Sequence, residues 1–334
     1  MIVASYFSGV GGLDLGLERA GFNIISQCEK NEYRREVLSE RFLETRIFED
    51  ISEVYYGEPK SRSSSKRLRE PNERWGKTWA GLSGSIDLLC GGFPCQDLSV
   101  AGKRAGLAGE RSGLFFEFAR IADESVRENG FILLENVPGL LSSPTENKGE
   151  DFAILLETLS KYGFNDIAWR ILDSQYFGVP QRRRRIFILG RRSRGGRSCG
   201  EILFEPESGD WNFETNGQAG KKNSLPAITG LGTGGPDDND AQNGRLISIE
   251  QFISGPLTSR YYKGINSTID DGAAIPTKMG VRRLTPIECE RLQGFPDSWT
   301  DINGASDTKR YAAIGDAVTV PVATWIGERI LKYG

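Results

Sequence analysis

The most reactive side chain in the sequence is a cysteine in a glycine- and proline-rich loop. Cys95 follows the apolar stretch Ile86–Cys90 and lies in the segment Gly91-Gly92-Phe93-Pro94-Cys95-Gln96. Glycine and proline break regular structure there, which exposes the thiol. A few per cent of a cysteine is ionised at neutral pH, and its thiolate is a strong nucleophile. We therefore predict nucleophilic chemistry at Cys95. Core packing is the simpler expectation for three other cysteines, Cys28, Cys90 and Cys289.

Arginine or a helix N-terminus must take the place of histidine in any chemistry at this thiol. The chain of 334 residues contains no histidine, which excludes the Ser-His-Asp and Cys-His hydrolases, the His-Glu-x-x-His metalloproteases and the histidine-ligated deaminases. Without imidazole, a nearby arginine or a helix N-terminus must favour the thiolate. Arginines are concentrated in Gln181-Arg182-Arg183-Arg184-Arg185, although a run of charges can equally be a solvated face.

Composition narrows the class of protein further. The formal net charge of −3 excludes a uniformly basic coat, but an acidic average can conceal a basic cleft for nucleic acid. The five cysteines are scattered without a Cys-x-x-Cys pair, so neither a disulfide scaffold nor the usual zinc finger is expected, and we predict no metal site. No apolar run approaches the roughly 20 residues of a membrane span, and no basic secretory signal opens the chain. We expect a cytoplasmic protein without membrane contact.

A glycine-rich turn, Ser8-Gly9-Val10-Gly11-Gly12, joins a predicted strand, Ile2–Phe7, to a predicted helix. This arrangement places backbone N–H groups and a helix N-terminus beside a ligand. Glu29, at the end of the next strand, can accept hydrogen bonds from a ribose diol. Asp50, at the end of the third strand, can accept one from an adenine amino group. The dinucleotide fingerprint fails at Asp14, so a nucleoside ligand without a pyrophosphate fits better. A purely structural turn explains the glycines equally well.

A second carboxyl group is predicted at the same edge of the sheet as Cys95. Glu135 ends the apolar strand predicted at 131–137. Side chains at the carboxyl ends of parallel strands share one edge, and a partly desolvated carboxyl group there can donate a proton. We therefore expect Cys95, Glu135, the glycine turn and the arginine run to converge on one cleft.

The elements that must position these groups follow an α/β pattern. Apolar runs alternate with amphipathic segments through the first half, which predicts a parallel sheet covered by helices. Helices are predicted at 112–128, 285–292 and 317–331, and a strand at 46–51. The stretch 57–84 is predicted to be a surface insertion, and periodicity fades between 194 and 278. We predict an α/β domain, an irregular smaller domain and a C-terminal return.

Taken in order, these motifs closely resemble the DNA cytosine-C5 methyltransferase family, of the bacterial or phage restriction–modification type, over nearly the whole chain. The matching segments are Phe7-Ser8-Gly9-Val10-Gly11-Gly12, Gly91–Gln96, Glu135–Val137, Gln181–Arg185, Arg291–Asp297 and Gly315-Asp316-Ala317-Val318. Two positions depart from the family pattern. Asp316 stands where the family usually has Asn, so it loses a donor and adds charge, and Pro256-Leu257 stands for the Thr-Leu pair of the variable region.

The resemblance implies methyl transfer from S-adenosylmethionine to carbon 5 of a cytosine flipped out of double-stranded DNA. Cys95 would add to C6, Glu135 would bind N3 and the exocyclic amine, and Arg183 and Arg185 would hold O2 and a nearby phosphate. Phe7 would stack on the cofactor's adenine, with Glu29 on the ribose and Asp50 on the amine. The rest of the implied cofactor site is Ser8, Gly9, Gly11, Gly12, Leu13, Ile51, Pro94, Leu114, Asp316 and Ala317.

The resemblance also implies a division of labour along the chain. Residues 1–192, with 311–334 returning, would form a Rossmann-like methyltransferase domain. Residues 193–281 would form a smaller, mostly β target-recognition domain, with 282–310 as a hinge. The implied DNA contacts are Gln96, Ser99, Lys103, Arg104, Thr258, Arg260 and Tyr261. We expect a monomer without an obligatory protein partner.

Three other interpretations of the function are open. A transfer RNA cytosine-C5 methyltransferase of the same family is the nearest, although the long middle region favours a base-reading domain for DNA. A non-catalytic DNA-binding paralogue would typically lack the Pro-Cys pair, which is intact. A nicotinamide oxidoreductase fits the glycine turn but is disfavoured by Asp14 and by Cys95-Gln96.

Overall fold

The structure, a computed structural model, describes residues 1–54, 84–93, 113–143, 147–192, 197–204, 257, 274–277 and 280–334. The chain divides into two compact units. The first comprises Met1–Leu172, Arg184–Glu205 and Val322–Gly334, and the second comprises Asp173–Arg183 and Pro206–Pro321. In this division the C-terminal return begins at Val322, later than the predicted 311. The assignment of 193–281 to target recognition stays a prediction.

Among the described residues, the first unit is built on a seven-stranded sheet in the order β3-β2-β1-β4-β5-β7-β6. Its strands are β1 (Ile2–Tyr6), β2 (Asn23–Cys28), β3 (Arg46–Phe48), β4 (Ile86–Gly91), β5 (Val126–Asn136), β6 (Asp166–Asp173) and β7 (Arg184–Arg191). The pairs from β3 through β5 are parallel, whereas β7 runs antiparallel to β5. The strand order reverses between β1 and β4, which is the topological switch point where α/β sheets bind ligands.

The inner strands of the sheet are apolar on both faces, whereas the edge strands β3 and β6 are mostly only half-buried. β4 is buried along its whole length, and the segment from Phe131 to Asn136 of β5 is buried as well. Such continuous apolar runs are typical of parallel strands covered by helices. The helices are α1 (Gly12–Ala20), α2 (Glu32–Arg41), α3 (Gly113–Ser125), α4 (Glu150–Lys161), α5 (Cys199–Leu203), α6 (Pro286–Gln293), α7 (Asp307–Asp316) and α8 (Val320–Tyr333).

The described part of the second unit has its own apolar cluster and a buried ion pair. Leu257, Leu284, Cys289, Leu292, Tyr311 and Ile314 form the cluster. Glu290 of α6 accepts hydrogen bonds from the hydroxyl of Thr300 at 2.5 Å and from Arg310 of α7 at 3.1 Å. A short antiparallel pair joins β8 (Ala274–Thr277) to β9 (Gly280–Arg283). The apolar cluster and the Glu290–Arg310 ion pair join α6 to α7 within this unit.

Several element boundaries differ from those expected from the sequence. The helix predicted at 112–128 ends at Ser125, and β5 begins at once with the β-branched Val126. The strand predicted at 46–51 ends at Phe48, and Ile51 begins a 3₁₀ turn instead. Helix α7 was not predicted. Cys28, Cys90 and Cys289 are buried free cysteines, as expected, and burial raises the pKa of the Cys28 thiol to about 12.

A buried acid lies under the glycine turn, in the first turn of α1. The side chain of Asp14 is fully buried, and its Oδ1 accepts a hydrogen bond from Gln27 Nε2 of β2 at 2.8 Å. Among the described residues, Asp14 Oδ2 and Gln27 Oε1 have no hydrogen-bond partner. Burial raises the pKa of the Asp14 carboxyl to about 6, with hydrogen bonds from Gln27 and Ser5 opposing it. A proton on Asp14 would turn its unpartnered Oδ2 into a donor.

Replacing Asp14 with asparagine is expected to stabilise the protein at pH 8 by up to about 3 kcal/mol. The folded-state pKa of about 6 lies above the unfolded value, so the folded state binds more protons between about pH 4 and pH 6. The stability of the wild-type protein therefore falls as the pH rises through that window, whereas Asp14→Asn lacks this loss. Urea unfolding from pH 4 to 8 measures this pH dependence of stability, with the exposed Glu36→Gln on α2 as the control. Parallel pH profiles for wild type and Asp14→Asn would contradict the assignment.

Candidate active site

The carboxyl ends of β1 and β4 bring two glycine-rich segments to the switch point of the sheet. β1 leads into Phe7 and the glycine turn, and β4 leads into Gly91, Gly92 and Phe93. The two strands are direct parallel neighbours, with Tyr6 paired to Gly91. The segments therefore leave the sheet from the same edge, where a ligand can contact both.

Three residues in and directly before the glycine turn adopt left-handed backbone conformations, and only two of them are glycines. Gly9 and Gly11 adopt φ of 59° and 84°, and a Cβ on Gly11 would lie 2.6 Å from the ring of Phe42. Phe7 also adopts a positive φ of 57°, which is strained for a bulky side chain. The Ser8 amide donates to the Cys28 carbonyl at 3.1 Å and thereby holds the turn against β2. Such strain is found mainly at functional sites.

Glu29 connects the glycine turn to the start of α2. Its Oε2 accepts a hydrogen bond from the Gly9 amide at 2.9 Å, and its Oε1 accepts one from the Asn31 amide at 2.8 Å. The side chain is about nine-tenths buried. A carboxylate has about four lone-pair sites, so each oxygen retains capacity for a further donor. Two adjacent hydroxyls, such as those of a ribose, match this pair of oxygens.

Asp50 does not end a strand but caps the 3₁₀ turn Ile51–Glu53. Its Oδ1 accepts hydrogen bonds from the Ser52 amide at 2.9 Å and from the Ser52 hydroxyl at 2.7 Å. Partial burial raises the pKa of the carboxyl, but these two donors outweigh it and hold the pKa below its usual value. Asp50 is therefore held as an ionised acceptor. Ile51 is buried beside it, and Leu114 packs against the same apolar cluster.

The structure gives reasons for the two glycines that precede the predicted nucleophile. A Cβ on Gly91 would lie 2.6 Å from the Tyr6 carbonyl oxygen, so a side chain cannot fit against β1 there. A Cβ on Gly92 would lie 3.0 Å from Oε2 of Glu135. The absence of side chains thus lets this loop pass directly beside the end of β5.

Asn136 holds this loop to β5, a role that the sequence reasoning missed. Its Nδ2 donates to the Phe93 carbonyl at 2.9 Å, and its Oδ1 accepts from the Val137 amide at 2.8 Å. Asn136 is buried, so both bonds are shielded from water. Its place directly after Glu135 in the Glu-Asn-Val motif was the only available signal, since the partner at Phe93 is distant in sequence.

Glu135 and Arg185 form an ion pair at the carboxyl end of β5. Arg185 Nε lies 2.9 Å from Glu135 Oε1. The Glu135 side chain is about nine-tenths buried, whereas that of Arg185 is about one-fifth exposed. β7 runs antiparallel to β5, with Phe187 opposite Glu135, and this direction brings the arginine run to the edge that carries Glu135. The predicted proximity of these two residues is therefore observed, while their catalytic roles stay a prediction.

Three other predicted site residues lie in the second unit. Arg183 is almost completely buried, and its Nη1 donates to the carbonyls of Leu257 at 2.8 Å and Gly315 at 3.1 Å. Asp316 ends α7 with an exposed side chain, and Ala317 follows it as a buried residue. Within this unit, Arg183 is thus bound to the peptide group that precedes Asp316.

Several predicted residues lie outside the described part of the chain. They are Pro94, Cys95, Gln96, Ser99, Lys103, Arg104, Thr258, Arg260 and Tyr261, together with residues 57–83 of the proposed insertion. In the part of the chain that is described, no helix is long and apolar enough to cross a membrane. The same residues contain no group of three or more cysteine and acidic side chains that could hold a metal ion.

The described residues fit the adenosine part of S-adenosylmethionine. The space next to Gly9 is open, since a Cβ there would meet no described atom within 4 Å. Phe7 has a partly exposed side chain, and the Glu29 oxygens offer paired acceptors. Leu13 and Gly12 are buried at the N-terminus of α1, and their contact with the cofactor stays a prediction. Asp14, which the sequence suggested would face a pyrophosphate, is instead fully buried against Gln27, so it does not select between ligands with and without one.

A family model and the sequences of known proteins both match this chain over most of its length. The family model described as C-5 cytosine-specific DNA methylase matches residues 1–205 and 241–332. The type II methyltransferase M2.BsuMI of Bacillus subtilis is 30% identical over 99% of this chain and 75% of its own length. M.Sau3AI of Staphylococcus aureus is 27% identical over 99% of this chain and 95% of its own length.

Solved structures give the same fold at lower identity. The Dnmt2 methyltransferase of Schizosaccharomyces pombe superposes with a TM-score of 0.63 and 17% identity, over 99% of this chain and 98% of its own. The methyltransferase EhMeth of Entamoeba histolytica superposes with a TM-score of 0.62 and 18% identity, over 99% of this chain and 98% of its own. These likenesses show an α/β, Rossmann-like methyltransferase fold.

Proposed function

Because this chain belongs to the C-5 cytosine-specific DNA methylase family, we propose that it methylates carbon 5 of cytosine within a specific sequence of double-stranded DNA. The observation that carries the proposal is the Glu135–Arg185 ion pair, which lies beside the loop that leads to Cys95. A carboxyl group and a guanidinium side by side match the N3, amine and O2 edge of cytosine. The similarity to type II methyltransferases supports a role in restriction–modification.

In this proposal Cys95 is the nucleophile. Its thiolate adds to C6 of a flipped-out cytosine, and the electron pair of the C5–C6 bond becomes available at C5. Glu135 donates a proton to N3 and accepts a hydrogen bond from the exocyclic amine, while Arg185 holds O2. S-adenosylmethionine, when bound, supplies the methyl group. Loss of the C5 proton to water, departure of the thiolate from C6 and return of the N3 proton to Glu135 restore the ring and the enzyme. Water is the proposed base because the chain has no histidine.

The cofactor is proposed to bind at the turn after β1. Phe7 would stack on the adenine, Glu29 would accept hydrogen bonds from the ribose, and Asp50 would accept one from the adenine amine. Asp316 and Ala317 are proposed to face the methionine part, and Pro94 and Leu114 to complete the wall. The remaining proposed contacts are those of the glycine turn, Ser8 to Leu13, and of Ile51.

The DNA is proposed to be gripped and read by two segments. Gln96, Ser99, Lys103 and Arg104 would contact the phosphates and the space left by the flipped base. Thr258, Arg260 and Tyr261 would contact base edges in the major groove, where sequence is read. The family model leaves residues 206–240 unmatched, and these lie within the segment assigned to target recognition. We propose that the protein acts as a monomer on DNA in the cytoplasm.

The function is tested by methyl transfer to two nucleic acids. Purified protein with labelled S-adenosylmethionine is expected to label plasmid DNA and to leave transfer RNA unlabelled. Bisulfite sequencing of a plasmid from cells that express the protein is expected to show 5-methylcytosine at one recurring sequence. Label on transfer RNA alone would contradict the proposal and support the RNA-directed alternative. Binding of DNA without any methylation would support a non-catalytic paralogue.

Replacing Glu29 with alanine is expected to weaken S-adenosylmethionine binding by about 1.5–3 kcal/mol, roughly tenfold to hundredfold in Kd. The variant loses the acceptors for the ribose and also releases the Gly9 and Asn31 amides. Isothermal titration calorimetry measures the affinity, with the exposed Glu36→Ala on α2 as the control. An unchanged affinity in Glu29→Ala would place the ribose elsewhere.

A further inference from the structure

Arg183 and Arg185 belong to one motif but make different contacts. Arg185 is partly exposed and pairs with Glu135. Arg183 is about 2% exposed, and its Nη1 donates to two main-chain carbonyls, those of Leu257 at 2.8 Å and Gly315 at 3.1 Å. A side chain that holds a base must be reachable by that base. The resemblance assigns the two arginines to the base O2 and a nearby phosphate, whereas these contacts connect Arg183 to the protein's own backbone.

The backbone that carries Arg183 is itself held in place within the second unit. Its amide donates to Asp173 Oδ1 at 3.0 Å, and its carbonyl accepts from the Ser174 amide at 3.0 Å. The Ser174 hydroxyl also donates to the hydroxyl oxygen of Thr319 at 2.8 Å. The guanidinium therefore extends from a fixed point, so its bonds can determine where the two carbonyls lie.

Each of the two carbonyls belongs to the residue directly before a proposed ligand-binding residue. Leu257 directly precedes Thr258, the first of the proposed base-reading residues, and Gly315 directly precedes Asp316, proposed to face the cofactor. A guanidinium is always charged, and its hydrogen bonds to carbonyls are stronger than those of neutral donors. A single nitrogen atom thus fixes the peptide groups next to both proposed ligand-binding residues.

We infer that Arg183 is a positioning residue that sets the backbone at Leu257 and Gly315, and so determines DNA sequence selection and cofactor affinity together. This inference rests on the proposed function. It separates the two arginines of the motif: Arg185 acts at the base beside Glu135, and Arg183 acts on the protein segments that present DNA-reading and cofactor-facing residues. Substituting Arg183 should therefore alter binding and selectivity more than the rate of the chemical step.

Arg183→Lys is the appropriate variant, because lysine keeps the charge but lacks the planar fork of donors. Its matched control is Arg182→Lys, the same exchange at an exposed neighbouring position. Relative to this control, KM for DNA and Kd for S-adenosylmethionine are each expected to rise about tenfold, which corresponds to the loss of one charge-assisted hydrogen bond. The value of kcat is expected to change less than about threefold, and bisulfite sequencing is expected to show methylation at sites that differ from the preferred one.

Hydrogen–deuterium exchange provides a readout that does not depend on activity. In Arg183→Lys, exchange is expected to increase in the peptides that contain residues 257–258 and 315–316, and to stay unchanged in the peptide that contains Glu135. A large loss of kcat with unchanged KM and unchanged methylation sites would overturn the inference in favour of a direct base contact. Unchanged exchange in both peptides would overturn it as well. If wild-type protein methylates no DNA, the proposed function fails, whereas the exchange result still tests the positioning of the backbone.

Discussion

Cys95→Ser is expected to lower methyl transfer by on the order of a thousandfold or more. Serine is nearly isosteric with cysteine, but its hydroxyl is scarcely ionised at neutral pH and is a far weaker nucleophile. Without addition at C6, carbon 5 stays too electron-poor to accept a methyl group. The assay is transfer of labelled methyl groups to plasmid DNA under single-turnover conditions, with S-adenosylmethionine binding measured in parallel to establish that the variant is folded.

A substrate that traps the covalent adduct makes this result specific to Cys95: DNA with 5-fluorocytosine at the target, tested with the wild-type protein and with Cys95→Ser. Cys90→Ser is not a suitable control, because Cys90 is fully buried in β4. Fluorine cannot leave as a cation, so the covalent adduct should accumulate and survive denaturing electrophoresis, and Cys95→Ser should form none. Substantial turnover by the serine variant, or an adduct that persists in it, would exclude Cys95 as the nucleophile.

Glu135→Gln is expected to lower kcat by about a hundredfold or more while KM for DNA changes little. Glutamine can still donate a hydrogen bond to N3 and accept one from the exocyclic amine, so the base can be held. It cannot transfer a proton to N3, and it loses the ion pair to Arg185, which lies 2.9 Å away in the wild-type protein. The chemical step should therefore suffer more than binding does. Steady-state kinetics on plasmid DNA separate the two parameters.

The matched control for this variant is Glu128→Gln, which removes an exposed carboxyl from the same strand, β5. It is expected to retain wild-type kcat and KM. If Glu135→Gln raised KM and left kcat intact, Glu135 would serve only to bind the base. If it retained both values, the ion pair with Arg185 would be a structural contact outside the reaction.

Local features were predictable because each depends on residues close together in sequence. Short apolar runs predicted β1, β2 and β4, and glycines predicted a turn whose Gly9 and Gly11 have positive φ. Helix α7 was missed because its sequence is largely polar. It forms because Tyr311 and Ile314 are buried against Leu284 and its neighbours, a contact between distant segments.

The positions of the site residues relative to one another depend on pairings that the sequence does not specify. The arginine run leads into β7 and Arg185 lies at its start, so a parallel β7 would leave Arg185 at the opposite edge of the sheet from Glu135. The antiparallel hydrogen bonding between β5 and β7 places it at the same edge. Asn136 likewise acquires its role only from the distant carbonyl of Phe93.

The sequence by itself therefore determined which family the motifs resemble, and it predicted which residue types would carry the chemistry and which glycine turn would approach a nucleoside. Those properties follow from side-chain chemistry and local backbone preference. Only the tertiary structure decided that Glu135 meets Arg185 and that Arg183 binds the backbone at Leu257 and Gly315. The physical reason is that hydrogen bonds between remote segments depend on strand direction and packing, which residue types and spacing leave undetermined.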